Sequence, residues 1–219
     1  MRIYLDLISP YAYLGWTQIR GIAKRFDREV QPVPVLFPAM LDAFGTFGPA
    51  EIPAKRSYVM KDIVRKAKLL SVPLLPPPVH PFVPLLPLRV VTGAPVEERA
   101  AVIDALFDAC WGRGEAIDSP EAIEIALKKA SIDPVLIQEA STPRVKGALI
   151  EATREAIEAG IFGVPTVVAD GEAFWGLDAL PSLEQFLRGQ DPITPELMAR
   201  LNAIPIGAKR KAVAERDGA

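Results

Sequence analysis

Ser9 stands where the apolar run from Ile3 to Ile8 gives way to Pro10 and a segment of helical spacing, so one hydroxyl marks the handover from strand to helix. A helix start offers unpaired backbone N–H groups, and a hydroxyl beside them can donate a hydrogen bond to an anion brought from outside. As a nucleophile the serine would need a base at its side, and the lone histidine, His80, is far away in sequence. Serine is also a favoured N-cap, and a purely structural cap accounts for it equally well.

The stretch GIFGVPTVVADGEAFWGLD holds the second group of candidates. A proline that opens a strand directly after an aliphatic residue stops the ladder early, with a cis bond allowed, and leaves the preceding backbone unpaired. Val164-Pro165 has that form, and a free N–H and C=O at Val164 would hold an extended, peptide-like ligand by strand addition. Further on, Gly176-Leu177-Asp178 opens the next helix, where backbone N–H groups suit a carboxylate and the Asp178 side chain suits an amine. Each piece has an ordinary alternative: packing for the valine and proline, an N-cap for the aspartate. Together they describe a receptacle for a thiol, a peptide spine, a carboxylate and an ammonium group, which is the make-up of glutathione.

Composition narrows the field. The chain has 219 residues, is 50% hydrophobic and carries a net charge of −2, which suits one or two domains with a real core and lacks the basic excess that nucleic acid requires. No apolar run approaches the roughly 20 residues that span a bilayer, so no membrane partner and a cytoplasmic location are expected. Cys110 alone cannot form an internal disulfide, and His80 alone cannot anchor a zinc site of the usual kind. Cys110 reads as a packing residue and His80, between two prolines' reach, as turn structure.

The elements that must position these residues follow from periodicity. Residues 2–8 read as a strand, and Ile19, Ile22, Ala23 and Phe26 share one face of the helix that Ser9 and Pro10 open. EVQPVPVLF reads as a second strand, with Pro32 and Pro34 assigning it to an edge. From about Pro49, helical spacing dominates: IPAKRSYVMKDIVRKAKLL is one helix, Val102, Ala105, Leu106 and Ala109 mark another, and DSPEA and IDPVL open two more. The run LSVPLLPPPVHPFVPLLPLRV is too rich in proline for regular structure in its middle and reads as an extended connector. A long helix is expected from Thr142-Pro143 to Gly160, then a hairpin around Asp170-Gly171, then a helix along Leu180, Leu183 and Leu187. Removing the helical block leaves β-α-β-α-β-β-α, the order of an α/β, thioredoxin-like fold with an inserted all-helical domain. The expected division is 1–48 and 142–190 for the thioredoxin-like part, 49–141 for the insertion and 191–219 for a C-terminal extension whose charged end, AKRKAVAERDGA, is expected to fray. In such a fold the first strand-to-helix junction normally holds C-x-x-C; here it reads Ser9-Pro10-Tyr11-Ala12, so dithiol exchange has no thiols to work with.

The motifs SPYAYLG, GPAEIPAKR and GIFGVPT…GEAFWGLD, in this order and spread over nearly the whole chain to about Leu187, resemble the 2-hydroxychromene-2-carboxylate isomerases, relatives of the kappa-class glutathione transferases and of DsbA-like oxidoreductases. The resemblance implies glutathione as cofactor, a homodimer, and a small aromatic or unsaturated electrophile as substrate. It implies that Ser9 activates the glutathione sulfur, that Val164 with Pro165 holds the tripeptide backbone, and that Trp175, Gly176, Leu177 and Asp178 line the glutamyl end. It also implies reversible addition of the thiolate to an unsaturated α-keto acid, with rotation about the bond that has become single. Substrate-facing positions would be Asp42, Phe47, Val83 and Arg89; family members carry asparagine, a basic residue and asparagine at the first three. A kappa-like transferase and a silent module binding a partner along the Val164 edge are the alternatives.

Overall fold

Strand β1 (Arg2–Leu5) stops at Asp6 instead of running on to Ile8. The cause is the fully buried Asp6 carboxylate, which accepts hydrogen bonds from Ile8 N at 3.0 Å and Phe37 N at 2.9 Å and so turns the chain out of the sheet. This is seen in a computed structural model that describes residues 1–208. The end of the tail expected to fray, from Lys209 on, lies outside the described residues.

Strand β2 (Gln31–Pro34) pairs parallel to β1 and forms one edge, as its two prolines require. On the other side of β1 lies β3 (Thr166–Ala169), antiparallel, followed by β4 (Glu172–Trp175), giving the order β2-β1-β3-β4. Asp170 (φ 50°) and Gly171 (φ 91°) both lie in the left-handed region, the conformation of a tight two-residue hairpin.

Helix α1 (Pro10–Arg25) joins β1 to β2 and buries Ile19, Ile22 and Ala23 of the predicted stripe, while Phe26, its fourth member, is the C-cap just past the helix and only half-buried. A short helix, α2 (Phe37–Ala43), follows β2 and has no counterpart in the sequence reading. Then come α3 (Pro53–Leu70), α4 (Leu85–Gly93), α5 (Arg99–Phe107) with a π turn over Asp108–Gly112, α6 (Pro120–Lys129) and α7 (Val135–Glu139). Helix α4 reclaims the end of the proline-rich run, because Pro87 sits in its first turn where no intrahelical N–H is needed. Helix α8 (Pro143–Glu158) leads into β3, and α9 (Leu180–Leu187) follows β4. Four helices start alike, with Ser9, Ser119, Thr142 or Thr194 accepting from the N–H three residues on and a proline in the first turn.

The fold is thioredoxin-like, with helices α3 to α7 intervening between the β-α-β opening and α8. The chain divides into two compact units, residues 1–184 and the stretch from Gln185 on. Within the first, Tyr4, Val35, Met40, Ala156, Ile161 and Val164 form one cluster that fastens α8 and the Val164 loop to the sheet. Trp16, Phe107 and Trp111 are buried as well, each fully buried large side chain contributing about 1.5–3 kcal/mol. In the second unit, α10 (Pro195–Asn202) is capped by Thr194 at 3.2 Å and occupies part of the expected C-terminal extension.

Candidate active site

Ser9 is nearly buried and caps α1: its Oγ accepts from Ala12 N at 3.2 Å. That bond uses a lone pair and leaves the hydroxyl hydrogen free, and among the described residues no acceptor takes it. Capping and donation are therefore compatible in one side chain. The turn before it is fixed from two sides, by Ser9 N donating to Asp6 O at 3.1 Å and by the buried Trp111 Nε1 donating to Leu7 O at 2.9 Å. Trp111 is brought there by the π turn, and His80 stacks edge-on against it with ring centroids 5.2 Å apart. Burial pushes the Asp6 carboxyl up to about 7, against the two backbone N–H groups that favour its charged form. Burial, aided by the Arg56 charge, pushes the His80 imidazole down to about 4, so that it is neutral at pH 7.

The Val164–Pro165 bond is cis, as is His80–Pro81. Among the described residues the Val164 N–H and C=O enter no hydrogen bond, while Pro165 O accepts from Gly176 N at 2.8 Å. Pro165 packs on α1, close enough that a Cβ on Gly15 would stand 3.3 Å from its Cγ. Trp175 ends β4 with its ring edge-on to Phe162 (4.9 Å between centroids) and across Gly163, where a Cβ would meet Nε1 at 2.5 Å. Gly176 (φ 89°) takes a backbone conformation suited to glycine, and its N–H is spent on Pro165 O; of the Gly176-Leu177-Asp178 donors, the Leu177 and Asp178 N–H groups enter no hydrogen bond among the described residues. Leu177–Ala179 is a single 3-10 turn before α9, with Leu177 buried and the Asp178 side chain 82% exposed.

Sequence reasoning missed the contacts that join these pieces. Tyr11, two residues after Ser9, donates to Asp62 Oδ2 at 2.7 Å; Lys66 Nζ is 2.7 Å from the same oxygen and 3.2 Å from Asp178 Oδ1. Lys66 also lies over the Tyr11 ring, 5.4 Å from its centroid. Burial raises the Asp62 carboxyl, but the bonds from Lys66 and Tyr11 outweigh it and the net displacement is downward. Burial lowers the Lys66 ammonium, but Asp62 and Asp178 outweigh it and hold it above the usual lysine value. Burial and the Asp62 carboxylate both push the Tyr11 phenol up, so it stays a donor. The i,i+4 spacing of Asp62 and Lys66 is visible in the sequence; their meeting with Asp178 is a product of the fold.

The four candidate substrate residues are not drawn into this network. Asp42 on α2, Phe47 in the loop after it and Val83 in the connection between α3 and α4 are all exposed. Arg89 lines a hollow of about 340 Å³ with Leu36, Ala39, Lys146 and Leu149, and its buried Nε has no hydrogen-bond partner. A second hollow of about 420 Å³ lies at the start of α3, lined by Glu51, Arg56 and Met60 among others; neither contains Ser9, Val164 or Asp178. Cys110 is fully buried and burial pushes its thiol up. Among the described residues no cluster of His, Cys, Asp and Glu could hold a metal, and no helix is long and apolar enough to cross a membrane.

Comparison with known proteins places this geometry among relatives. The family model of the DsbA-like thioredoxin domain matches residues 1–188. A 2-hydroxychromene-2-carboxylate isomerase of Pseudomonas sp. (strain C18) is 26% identical over 193 residues, covering 85% of this chain and 89% of the relative. Glutathione S-transferase kappa 1 of Homo sapiens is 28% identical over 219 residues, covering 92% and 97%. A solved 2-hydroxychromene-2-carboxylate isomerase superposes with a TM-score of 0.76 at 25% identity, covering 92% of this chain and 97% of its own.

Proposed function

Because the chain belongs to the DsbA-like thioredoxin family, we propose that it runs that architecture on a borrowed thiol, as a glutathione-dependent isomerase of the 2-hydroxychromene-2-carboxylate isomerase type. The observation that carries this is Ser9: where C-x-x-C would stand, a hydroxyl with an uncommitted hydrogen caps the helix on which Pro165 packs. The residues fit a tripeptide thiol. Ser9 would donate to the sulfur, the unbonded Val164 N–H and C=O would take the peptide backbone, and Trp175, Gly176, Leu177 and Asp178 would border its glutamyl end.

Glutathione, when bound, supplies a nucleophilic sulfur able to add to an unsaturated carbon and to leave again. The task left to the protein is to keep that sulfur ionised. Lowering a thiol pKa by two units takes about 2.7 kcal/mol at about 1.36 kcal/mol per unit. One hydroxyl donor to a charged group supplies about 1.5–3 kcal/mol and the start of a sixteen-residue helix about 0.3–1 more. Asp6 and Trp111 contribute by fixing the turn that aims Ser9. We further treat residues 49–141 as an inserted helical domain that contributes Asp62 and Lys66 to the site, and the active form as a cytoplasmic homodimer.

The kappa relatives, equally similar in sequence, support a second reading in which the electrophile keeps the sulfur and the protein is a transferase. Titration of the chain with glutathione, read by calorimetry and by the ultraviolet absorbance of the bound thiolate, tests what the two readings share. Binding with a thiolate band that Ser9→Ala abolishes is the expected result. Absence of binding overturns both and leaves a module that engages a partner along the Val164 edge. Turnover of unsaturated α-keto acids, against aryl halides, then separates isomerase from transferase.

A further inference from the structure

Helices α2, α4 and α8 leave a hollow of about 340 Å³ between them, at the small end of the roughly 300–1,000 Å³ over which ligand pockets range. Its α8 side is one helical stripe, Lys146, Leu149, Ile150, Thr153 and Ile157, at i, i+3, i+4, i+7 and i+11. Leu36 and Ala39 line it from the start of α2, Leu85 and Arg89 from α4. The apolar wall is aliphatic, with no aromatic ring among the described residues that line it. Ile150 is 68% exposed, so the hollow opens to solvent.

The polar groups around this wall divide into those already satisfied and those left over. The Thr153 hydroxyl accepts from Leu36 N at 3.0 Å and donates to Leu149 O at 2.8 Å, which uses it up. Arg154 is matched by Glu151 and Glu158. Arg89 and Lys146 remain: among the described residues neither side chain enters an ion pair or a hydrogen bond, and Arg89 Nε is buried without an acceptor. The sealed Nε anchors the guanidinium and leaves its terminal N–H groups as the donors open to a ligand. Two unmatched cations beside an aliphatic wall complement a molecule with an anionic head and an alkyl body, and a guanidinium takes a carboxylate through parallel hydrogen bonds. A flat ring would find no ring to pack on, which favours a flexible chain. We propose that this hollow binds a medium-chain aliphatic carboxylate, its head held by Arg89 and Lys146 and its chain lying along α8. None of Ser9, Val164 and Asp178 lines the hollow, so its occupancy needs neither the borrowed thiol nor the electrophile.

The test is calorimetric titration of the full chain with octanoate and with 1-octanol, which has the chain without the charge. Octanoate should bind about tenfold more tightly, the scale of one charge-assisted hydrogen bond, and Arg89→Gln should bring the two within about twofold. Ile150→Glu, at an exposed position, serves if the arginine variant does not fold: it sets a negative charge in the hollow and should weaken octanoate by about tenfold or more, with circular dichroism and sedimentation unchanged. Ser9→Ala should bind octanoate as the parent does. A parent that ignores octanoate, or that binds the alcohol as tightly, overturns the proposal. So do variants at Arg89 and Ile150 that bind octanoate unchanged, and so does loss of binding in Ser9→Ala. A lower sedimentation coefficient in Ile150→Glu assigns this face to a second copy of the chain and overturns it as well.

Discussion

Asp6 and His80 are displaced in opposite directions by burial, and the pH dependence of stability separates them. The Asp6 carboxyl moves from 3.8 up to about 7, so the folded chain holds that proton more tightly than the unfolded chain does. Its contribution is fully present below the unfolded value and is lost as pH rises through the folded one; between about pH 8 and about pH 5, acidification returns about 3 kcal/mol. The His80 imidazole moves from 6.5 down to about 4, so the folded chain resists a proton that the unfolded chain accepts. Over the same interval that costs about 2 kcal/mol before screening and about 1 kcal/mol once the partly exposed ring's access to solvent is allowed for. Acidification should therefore raise the stability of the parent through these two groups by about 1–2 kcal/mol. Asp6→Asn removes the first contribution and leaves the second, so its stability should fall by about 1 kcal/mol across that interval, on top of a pH-independent loss of about 1–3 kcal/mol for one N–H left without an acceptor. Urea unfolding of both proteins, followed by circular dichroism across the interval with unchanged m-values, measures the difference, in which groups common to both cancel. An Asp6→Asn profile parallel to the parent's would refute the reasoning.

Gly163→Ala should displace the Trp175 ring, because a Cβ there stands 2.5 Å from Nε1; a loss of about 1–3 kcal/mol and an altered tryptophan emission are expected. Asp104 accepts from the buried Trp16 Nε1 at 2.6 Å, so Asp104→Ala should cost about 1–3 kcal/mol in urea while Asp104→Asn, which keeps an acceptor, stays closer to the parent. Cys110 should resist thiol reagents in the native chain at neutral pH and react fully once unfolded, as titration with a chromogenic disulfide would show.

The framework was legible where local chemistry and packing agree. Ser9, Ser119 and Thr142 each announce a helix because the capping hydroxyl and the following proline serve the same start. Asp170-Gly171 announces the hairpin because both positions need a left-handed backbone, and Pro32 and Pro34 announce an edge because a proline cannot donate to a ladder. The end of β1 was not legible: Ile8 continues the apolar run, and only the tertiary bond from Phe37 N to Asp6, across 31 residues, turns the chain away. The site divided in the same way. Ser9 and the Val164 loop stand out by residue type, whereas Lys66 looks like any charged residue on an amphipathic helix until the fold carries Asp178 to it across 112 residues.

Along β2 the donors alternate between two directions. Gln31 N reaches Met1 O at 2.8 Å and Val35 N reaches Leu5 O at 3.0 Å, so the odd-numbered residues face β1 and the even-numbered ones face outward. The outward positions within the strand are Pro32 and Pro34, which have no hydrogen to offer. This margin of the sheet is chemically mute: another chain laid alongside would find acceptors without donors and could not zip on. The sheet therefore cannot be continued through this margin by a second copy, and the same muteness guards against runaway stacking.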